Sequence, residues 1–236
     1  YREFDERVDR LSTGLLGLGV TRGDHVACWL TNEPDWILTW LACCRIGATV
    51  VSINTRYKTQ EVEFILRQSD AKLLVAMPQY WEIDYLTMIE EMVPGFECST
   101  PGALQCEKLP ALRGIVLWKD EQHPGTVSLQ SLWAGEADHE ALDMAAATLE
   151  TEDPVIIIYT SGTTGVPKGA MHCHRVLLEG RDIAKALHME AGDNVLCHLP
   201  LYHVAGSVAT VMPAMQHGAT IVTMDHWEPA AAIDLI

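Results

Sequence analysis

Gly23-Asp24-His25-Val26-Ala27-Cys28-Trp29-Leu30 returns 169 positions later as Gly192-Asp193-Asn194-Val195-Leu196-Cys197-His198-Leu199. Both copies open on Gly-Asp and continue as an apolar run of strand length. Each is followed by an apolar segment of helical length and then by a second matched run. These runs are Gly47-Ala48-Thr49-Val50-Val51-Ser52 and Gly218-Ala219-Thr220-Ile221-Val222-Thr223, 171 positions apart. The second runs are rich in β-branched residues, the composition of a strand covered on both faces. Strand, helix, strand at these lengths is a β-α-β unit with parallel strands. Two such units in the same order predict two similar lobes, and a crevice between lobes is a usual place for a ligand.

The alternation extends outward from these runs. Phe4, Val8, Leu11, Leu15 and Leu18 recur at helical spacing, and Gly19 follows as a stop. A helix is predicted over 34–46, with Pro34 in its first turn and Gly47 at its C-terminal cap. Another is predicted over 59–68, capped by Thr59, and more at 174–187, at 204–216 and from 229 onward. Strands are predicted over 25–30, 49–53, 72–76, 114–118, 155–159, 194–199 and 219–224, with a less regular stretch around Pro94, Pro101 and Pro110. The fold class is therefore α/β, with mainly parallel sheets and helices packed on them. Residues 134–153 hold seven acids and no Lys or Arg. They read as a solvated surface connection and as the expected boundary between the lobes.

Composition removes several function classes. Of 236 residues, 48% are apolar and 20% charged, which excludes a mostly disordered chain. Thirty-two acids against sixteen bases give a net charge of -16, so the basic face a nucleic-acid binder needs is not expected. No apolar run is long enough to cross a bilayer, and no polybasic cluster marks a membrane surface. Seven cysteines without disulfide-like spacing read as reduced thiols of an intracellular protein, cytoplasmic or of the mitochondrial matrix. Cys43-Cys44 is expected to pack as small apolar residues, and Trp36 and Trp40 as core. The first residue is Tyr1, and Asp234-Leu235-Ile236 falls inside an apolar pattern. A piece of a longer chain is expected, with any targeting signal outside it.

The chemistry concentrates after the run Val155-Ile156-Ile157-Ile158. There the chain reads Tyr159-Thr160-Ser161-Gly162-Thr163-Thr164-Gly165-Val166-Pro167-Lys168-Gly169. Three glycines permit close backbone approach, four hydroxyls and several amides can donate to phosphate oxygens, and Lys168 adds a point charge. The loop is not a Walker A loop, because Pro167 and Gly169 flank the lysine and no Ser or Thr follows it. The net charge of -16 does not oppose an anionic ligand, since salt screens distant acids over about 8 Å. His172-Cys173-His174 invites a metal reading, but no third or fourth ligand is in view, and no metal site is assigned.

The string at 159–169 resembles the phosphate-binding signature of the adenylate-forming enzymes: acyl-CoA synthetases, aryl-CoA ligases, luciferases and the adenylation domains of peptide synthetases. It matches that pattern without departure. Tyr1-Arg2-Glu3-Phe4 resembles the family's early Tyr-x-Glu-Leu element, with Phe4 in place of Leu. Residues 45–54 resemble its second strand signature, and Pro200-Leu201-Tyr202-His203-Val204-Ala205-Gly206 its Pro-Leu-aromatic-His-x-x-Gly element. The stretches 53–76 and 101–117 look most like fatty-acyl-CoA synthetases of the medium- to long-chain kind.

The resemblance implies that residues 1–236 are a partial N-terminal AMP-binding domain. It implies ATP-dependent activation of a carboxylic acid, fatty acids foremost, to an acyl-adenylate with release of pyrophosphate. Thioester formation with coenzyme A follows, with Mg²⁺ as a further cofactor. Thr160, Ser161, Gly162, Thr163, Thr164, Gly165 and Lys168 are then the expected nucleotide-binding residues. Lys168, His203 and Thr164 are the expected catalytic ones, and Tyr202, His203, Val204 and Gly206 are expected to line the acid's path. The family's adenine, ribose and C-terminal lysine elements have no counterpart in these residues, so the 236 residues alone are expected to be inactive. An aryl or other acid, a carrier-protein acceptor, and a non-catalytic nucleotide-binding protein remain the alternatives.

Overall fold

The computed structural model describes residues 1–120, 122–160 and 167–235. The first lobe runs α1 (Arg2–Gly17), β1 (His25–Trp29), α2 (Pro34–Arg45), β2 (Thr49–Ser52), α3 (Thr59–Gln68) and β3 (Leu73–Ala76). A two-strand ribbon of β4 (Gln79–Tyr80) and β5 (Ile83–Asp84) leads to α4 (Tyr85–Met92), β6 (Gly114–Leu117) and β7 (Val127–Ser128). Next come α5 (Leu129–Trp133), α6 (His139–Ala146), β8 (Pro154–Thr160), β9 (Lys168–Cys173) and α7 (Arg175–Ala186). The second lobe continues with β10 (Asn194–Cys197), α8 (Val204–Gly206), a π-helical turn over Ser207–Val211, α9 (Met212–His217), β11 (Thr220–Thr223) and α10 (Pro229–Leu235).

The large sheet has the order β7-β6-β3-β1-β2-β8-β9. Its neighbours are parallel except for β8 and β9, which pair antiparallel from Thr160↔Lys168 to Pro154↔Cys173. β10 and β11 form a separate parallel pair. β1, β2, β3 and β6 are almost fully buried, and Trp29, Trp36 and Trp40 are fully buried in the same core. Trp40 Nε1 donates to the Val155 carbonyl (3.2 Å), which ties α2 to β8. Cys43 and Cys44 are free and buried, and burial pushes both thiols up. Among the described residues no helix is long and apolar enough to cross a membrane.

The repeat is present at the level of single hydrogen bonds. His25↔Thr49 opens the β1–β2 register, and Asn194↔Thr220 opens β10–β11. The amides of Gly23 and Gly192 donate to the carbonyls of Gly47 and Gly218 (2.9 and 3.3 Å). Asp24 and Asp193 each accept, through a side-chain oxygen, the amide three residues earlier (2.7 and 2.8 Å). Gly47 and Gly218 take φ of +74° and +72°, the left-handed cap that ends α2 and α9. The correspondence extends backward to α1 and α7: the Val20 and Met189 amides donate to Leu15 and Ala184 (3.0 and 2.9 Å).

Several expectations need correction. Thr59 is the first residue of α3 rather than its cap. The capping position is Lys58, whose amide donates to Glu61 Oε2 (2.7 Å), while the Thr59 hydroxyl reaches Glu91 (2.6 Å). Residues 134–153 are not merely a solvated connection. Asp138 caps α6 by accepting from the Ala141 amide (3.0 Å), and Leu142 of that helix is fully buried. β8 and β9 lie beyond that stretch and still belong to the large sheet; the β10–β11 pair begins only after α7. β9 carries no apolar alternation, and α4 lay hidden in the proline-containing region.

Two carboxylates tie the lower edges of the large sheet together. Burial alone would raise the pKa of Asp24. Hydrogen bonds from Lys72 Nζ (2.7 Å) and from the Thr21 amide and hydroxyl outweigh it and hold the group below the usual range. The Arg22 guanidinium (2.7 Å) holds Asp153 low in the same way. A depressed folded pKa contributes stability above the unfolded value, lost as pH falls through the folded one. Melting temperature should therefore hold down to about pH 4 and fall below it. Lys72→Met and Arg22→Met should each make that acid-side fall shallower in thermal melts.

Candidate functional site

Parallel strands direct the loops that follow them to one edge, and Thr160 and Lys168 stand at that edge of the large sheet. β8 ends at Thr160, and β9 returns from Lys168, which faces Thr160 in the register. The Thr160 hydroxyl reaches the Lys168 carbonyl (3.4 Å). Both residues are exposed. The rest of the expected phosphate loop, Ser161, Gly162, Thr163, Thr164, Gly165 and Val166, lies outside the described residues. The ladder thus fixes where that loop leaves and re-enters the sheet.

A cavity of about 480 Å³ opens where the carboxyl ends of both strand pairs converge. Thr31 and Asn32 follow β1, Thr55 and Arg56 follow β2, and Leu199 and Trp227 follow β10 and β11; Tyr202 also lines it. The carboxyl edge is the general ligand edge of open α/β sheets. Glu33 stands near this mouth, half-buried. Burial raises its pKa, with Asp35 and Asp225 adding to the rise and Lys119 opposing it. A second cavity of about 470 Å³ lies elsewhere, lined by Tyr1, Phe4, Ile37 and Met215 and reaching the amino end of β11. It is apolar and holds none of the expected site residues.

His203 is the capping residue of α8. Its Nδ1 accepts the Ala205 amide (3.2 Å), which leaves the neutral ring with its proton on Nε2, as a donor. The ring is exposed. The turn before it is closed by the His203 amide on the Pro200 carbonyl (3.0 Å). Beyond it the helix widens into the π turn, and the Thr210 hydroxyl donates to the Ala205 carbonyl five residues back (2.8 Å). Pro213 supplies no amide to this helix, and a π turn just before a proline absorbs that defect. Val204 is 36% exposed. Gly206 is buried, and a Cβ there would lie 2.2 Å from the Pro200 carbonyl oxygen and 2.6 Å from that of Leu199. Its small size is thus taken up by backbone, not by an open path.

The structure brings Thr160 and Lys168 together, and Tyr202 and His203 together. Among the described residues no hydrogen bond joins the two pairs. His174 is the capping position just before α7, and burial lowers its ring pKa against the opposing charge of Asp153. Among the described residues no cluster of three or more His, Cys, Asp or Glu side chains is placed to hold a metal. Sequence reasoning missed Arg56 and Asn32. Asn32 had a signal: it is a lone amide at the end of an apolar strand run.

The model of the family described as AMP-binding enzyme matches residues 1–236. The chain belongs to that family. Among relatives of this AMP-binding enzyme chain, the human mitochondrial medium-chain acyl-CoA ligase ACSF2 is 33% identical over 230 residues. That match covers 94% of this chain and 37% of the relative, and the chain spans less than half the length of the curated relatives it matches. Among solved structures, the inhibitor-bound N-terminal domain of FACL13 from Mycobacterium tuberculosis superposes with a TM-score of 0.78 at 24% identity, covering 100% of this chain and 52% of that one. The anthranilate CoA ligase AuaEII in complex with anthranoyl-AMP gives 0.81 at 23% identity, covering 99% and 41%. These likenesses establish the fold as that of the N-terminal domain of adenylate-forming enzymes.

The Gly206 contacts give a direct test. Gly206→Ala must push a methyl group into two carbonyls that cannot move independently of the His203 turn. It should cost about 2 kcal/mol or more in urea unfolding, against a change within about 0.5 kcal/mol for a substitution at exposed Ala209.

Proposed function

We propose that this chain is the phosphate- and acid-handling part of a longer AMP-forming acyl-CoA ligase. In the first step a carboxylate oxygen attacks the α-phosphorus of ATP. An O–P bond forms, the bond to the bridging oxygen breaks, and pyrophosphate leaves with the electron pair. In the second step the thiolate sulfur of coenzyme A attacks the acyl carbon and AMP departs. The observation that carries the reading is the Thr160↔Lys168 pairing at the carboxyl edge of the sheet. It anchors both ends of a loop whose sequence is rich in phosphate donors.

In this reading Lys168, with the hydroxyls and amides of 160–165, neutralises and orients the β- and γ-phosphates and stabilises the leaving group. Thr164 acts from the same loop. No covalent nucleophile is required, since such transfers rest on positioning and charge stabilisation. His203, with its proton on Nε2, holds one carboxylate oxygen while the other attacks. Tyr202 borders the acid's path, Val204 extends it, and Gly206 keeps the turn that presents them. Mg²⁺, when bound, would neutralise phosphate charge. It is commonly held by substrate phosphates and a few carboxylates, so a described surface without a ligand cluster is compatible with it.

A fatty acid is the favoured substrate because relatives 32–34% identical are medium-chain acyl-CoA ligases. Seven free cysteines support a reducing intracellular compartment, cytoplasmic or mitochondrial. The acidic balance supports small-molecule partners rather than nucleic acid. Because the relatives are more than twice as long, the activity is assigned to the longer protein, and the 236 residues alone are inactive in this reading.

Substitution in the full-length protein tests the roles. Lys168→Ala should slow acid-dependent pyrophosphate release by about 100-fold while leaving the melting temperature unchanged, because the residue is exposed. Activity within about twofold of the parent would remove Lys168 from the mechanism. His203→Ala should raise the KM for the acid more than that for ATP. Equal loss of ATP affinity without acid present would reduce His203 to a helix cap.

A further inference from the structure

Thr160 and Lys168, which flank the expected phosphate loop, belong to the large sheet, whereas His203 belongs to the second lobe. Their separation is set where the lobes join. At that junction lies Asn32, 5% exposed, just beyond β1. Its Nδ2 donates to the Leu199 carbonyl (2.9 Å), and its Oδ1 accepts from the Leu201 amide (2.8 Å). Pro200, between them, has no amide to offer. One planar carboxamide therefore satisfies the carbonyl and the amide on either side of a proline, as a neighbouring strand would. Tyr80 and Tyr1 also reach across, the first at 3.4 Å to the Asp225 carbonyl, the second to the Ala219 carbonyl, but Tyr1 is 58% exposed.

The repeat adds meaning to the pair. Leu201 follows Asn32 by 169 positions, the same offset as the two Gly-Asp strands. Equivalent points of the two lobes therefore meet, and only the first lobe supplies a polar side chain there. Leu201 is fully buried and Asn32 nearly so, so the bond to the Leu201 amide is shielded from water, while the bond to the Leu199 carbonyl lies at the cavity wall. From Leu201 the chain reaches His203 in two residues. The intervening turn is closed on Pro200, and the Ser207 hydroxyl holds the His203 carbonyl (3.0 Å).

We propose that Asn32 is a positioning residue: by clamping the backbone of 199–201 it fixes where His203 stands relative to Lys168 on β9. The catalytic consequence rests on the acid-activating reading given above. Asp at this position keeps an acceptor for the Leu201 amide but loses the donor and sets a carboxylate against the Leu199 carbonyl. Ala removes both bonds.

The test uses the full-length protein with Asn32→Asp and Asn32→Ala. Asn32→Asp should raise the KM for the acid by about tenfold, with the KM for ATP within about twofold of the parent. In the unmutated protein the Leu201 amide should be protected from hydrogen exchange, and Asn32→Ala should speed that exchange by about tenfold or more and shift the His203 ring signals in NMR. An unprotected Leu201 amide in the unmutated protein would overturn the clamp, even if a variant fails to fold. Unchanged His203 signals in folded Asn32→Ala, or equal rises in both KM values, would overturn the positioning role. If the unmutated protein releases no acid-dependent pyrophosphate, the functional reading fails. The exchange and ring measurements then still decide whether Asn32 sets the His203 turn.

Discussion

Parallel pairing of β1 with β2, and of β10 with β11, is the constraint on which the rest depends. Two parallel neighbours cannot be joined by a tight turn; the chain must cross back through a helix. Every strand so joined releases its next loop at the same edge. The Thr31–Asn32 and Thr55–Arg56 segments, the Pro200 turn and the end of β8 at Thr160 are consequently gathered along one rim, although they are far apart in sequence. The site is a product of strand direction before it is a product of any side chain.

The lone antiparallel neighbour fits the same logic. β9 turns back on β8, so the loop between them begins and ends on adjacent strands at the carboxyl rim. Lys168 stands at the returning end, where its charge lies near the rim and away from the fully buried core. On the other side of the junction, Gly206 and Asn32 work on the same turn from opposite directions. Gly206 lets the Pro200 and Leu199 carbonyls come close, and Asn32 satisfies the backbone that this leaves facing the first lobe.

Legibility in the sequence followed burial. β2 and β8 are covered on both faces, so their β-branched runs announced them; α2, apolar all round, did the same. The repeat was legible because both Gly-Asp turns and both left-handed caps need particular residues. β9 was illegible because its side chains are mostly exposed and carry no apolar period. α6 hid behind its acids, since one buried leucine holds it down. Within the candidate site, the hydroxyl-rich loop could be singled out from residue types, and the His203 turn only through its resemblance to a family element. Asn32 showed only as a lone amide after an apolar run; its partners are backbone atoms in the other lobe, 167 and 169 positions away, which no residue type reveals.

Membership of the AMP-binding enzyme family makes the nucleotide product the most informative observable. The full-length protein should be given ATP, Mg²⁺ and a panel of acids from octanoate to palmitate with an aryl acid, with and without coenzyme A. The account predicts pyrophosphate and AMP that depend on the acid, with thioester appearing only when coenzyme A is present. ADP and phosphate, or nucleotide turnover indifferent to the acid, would contradict it.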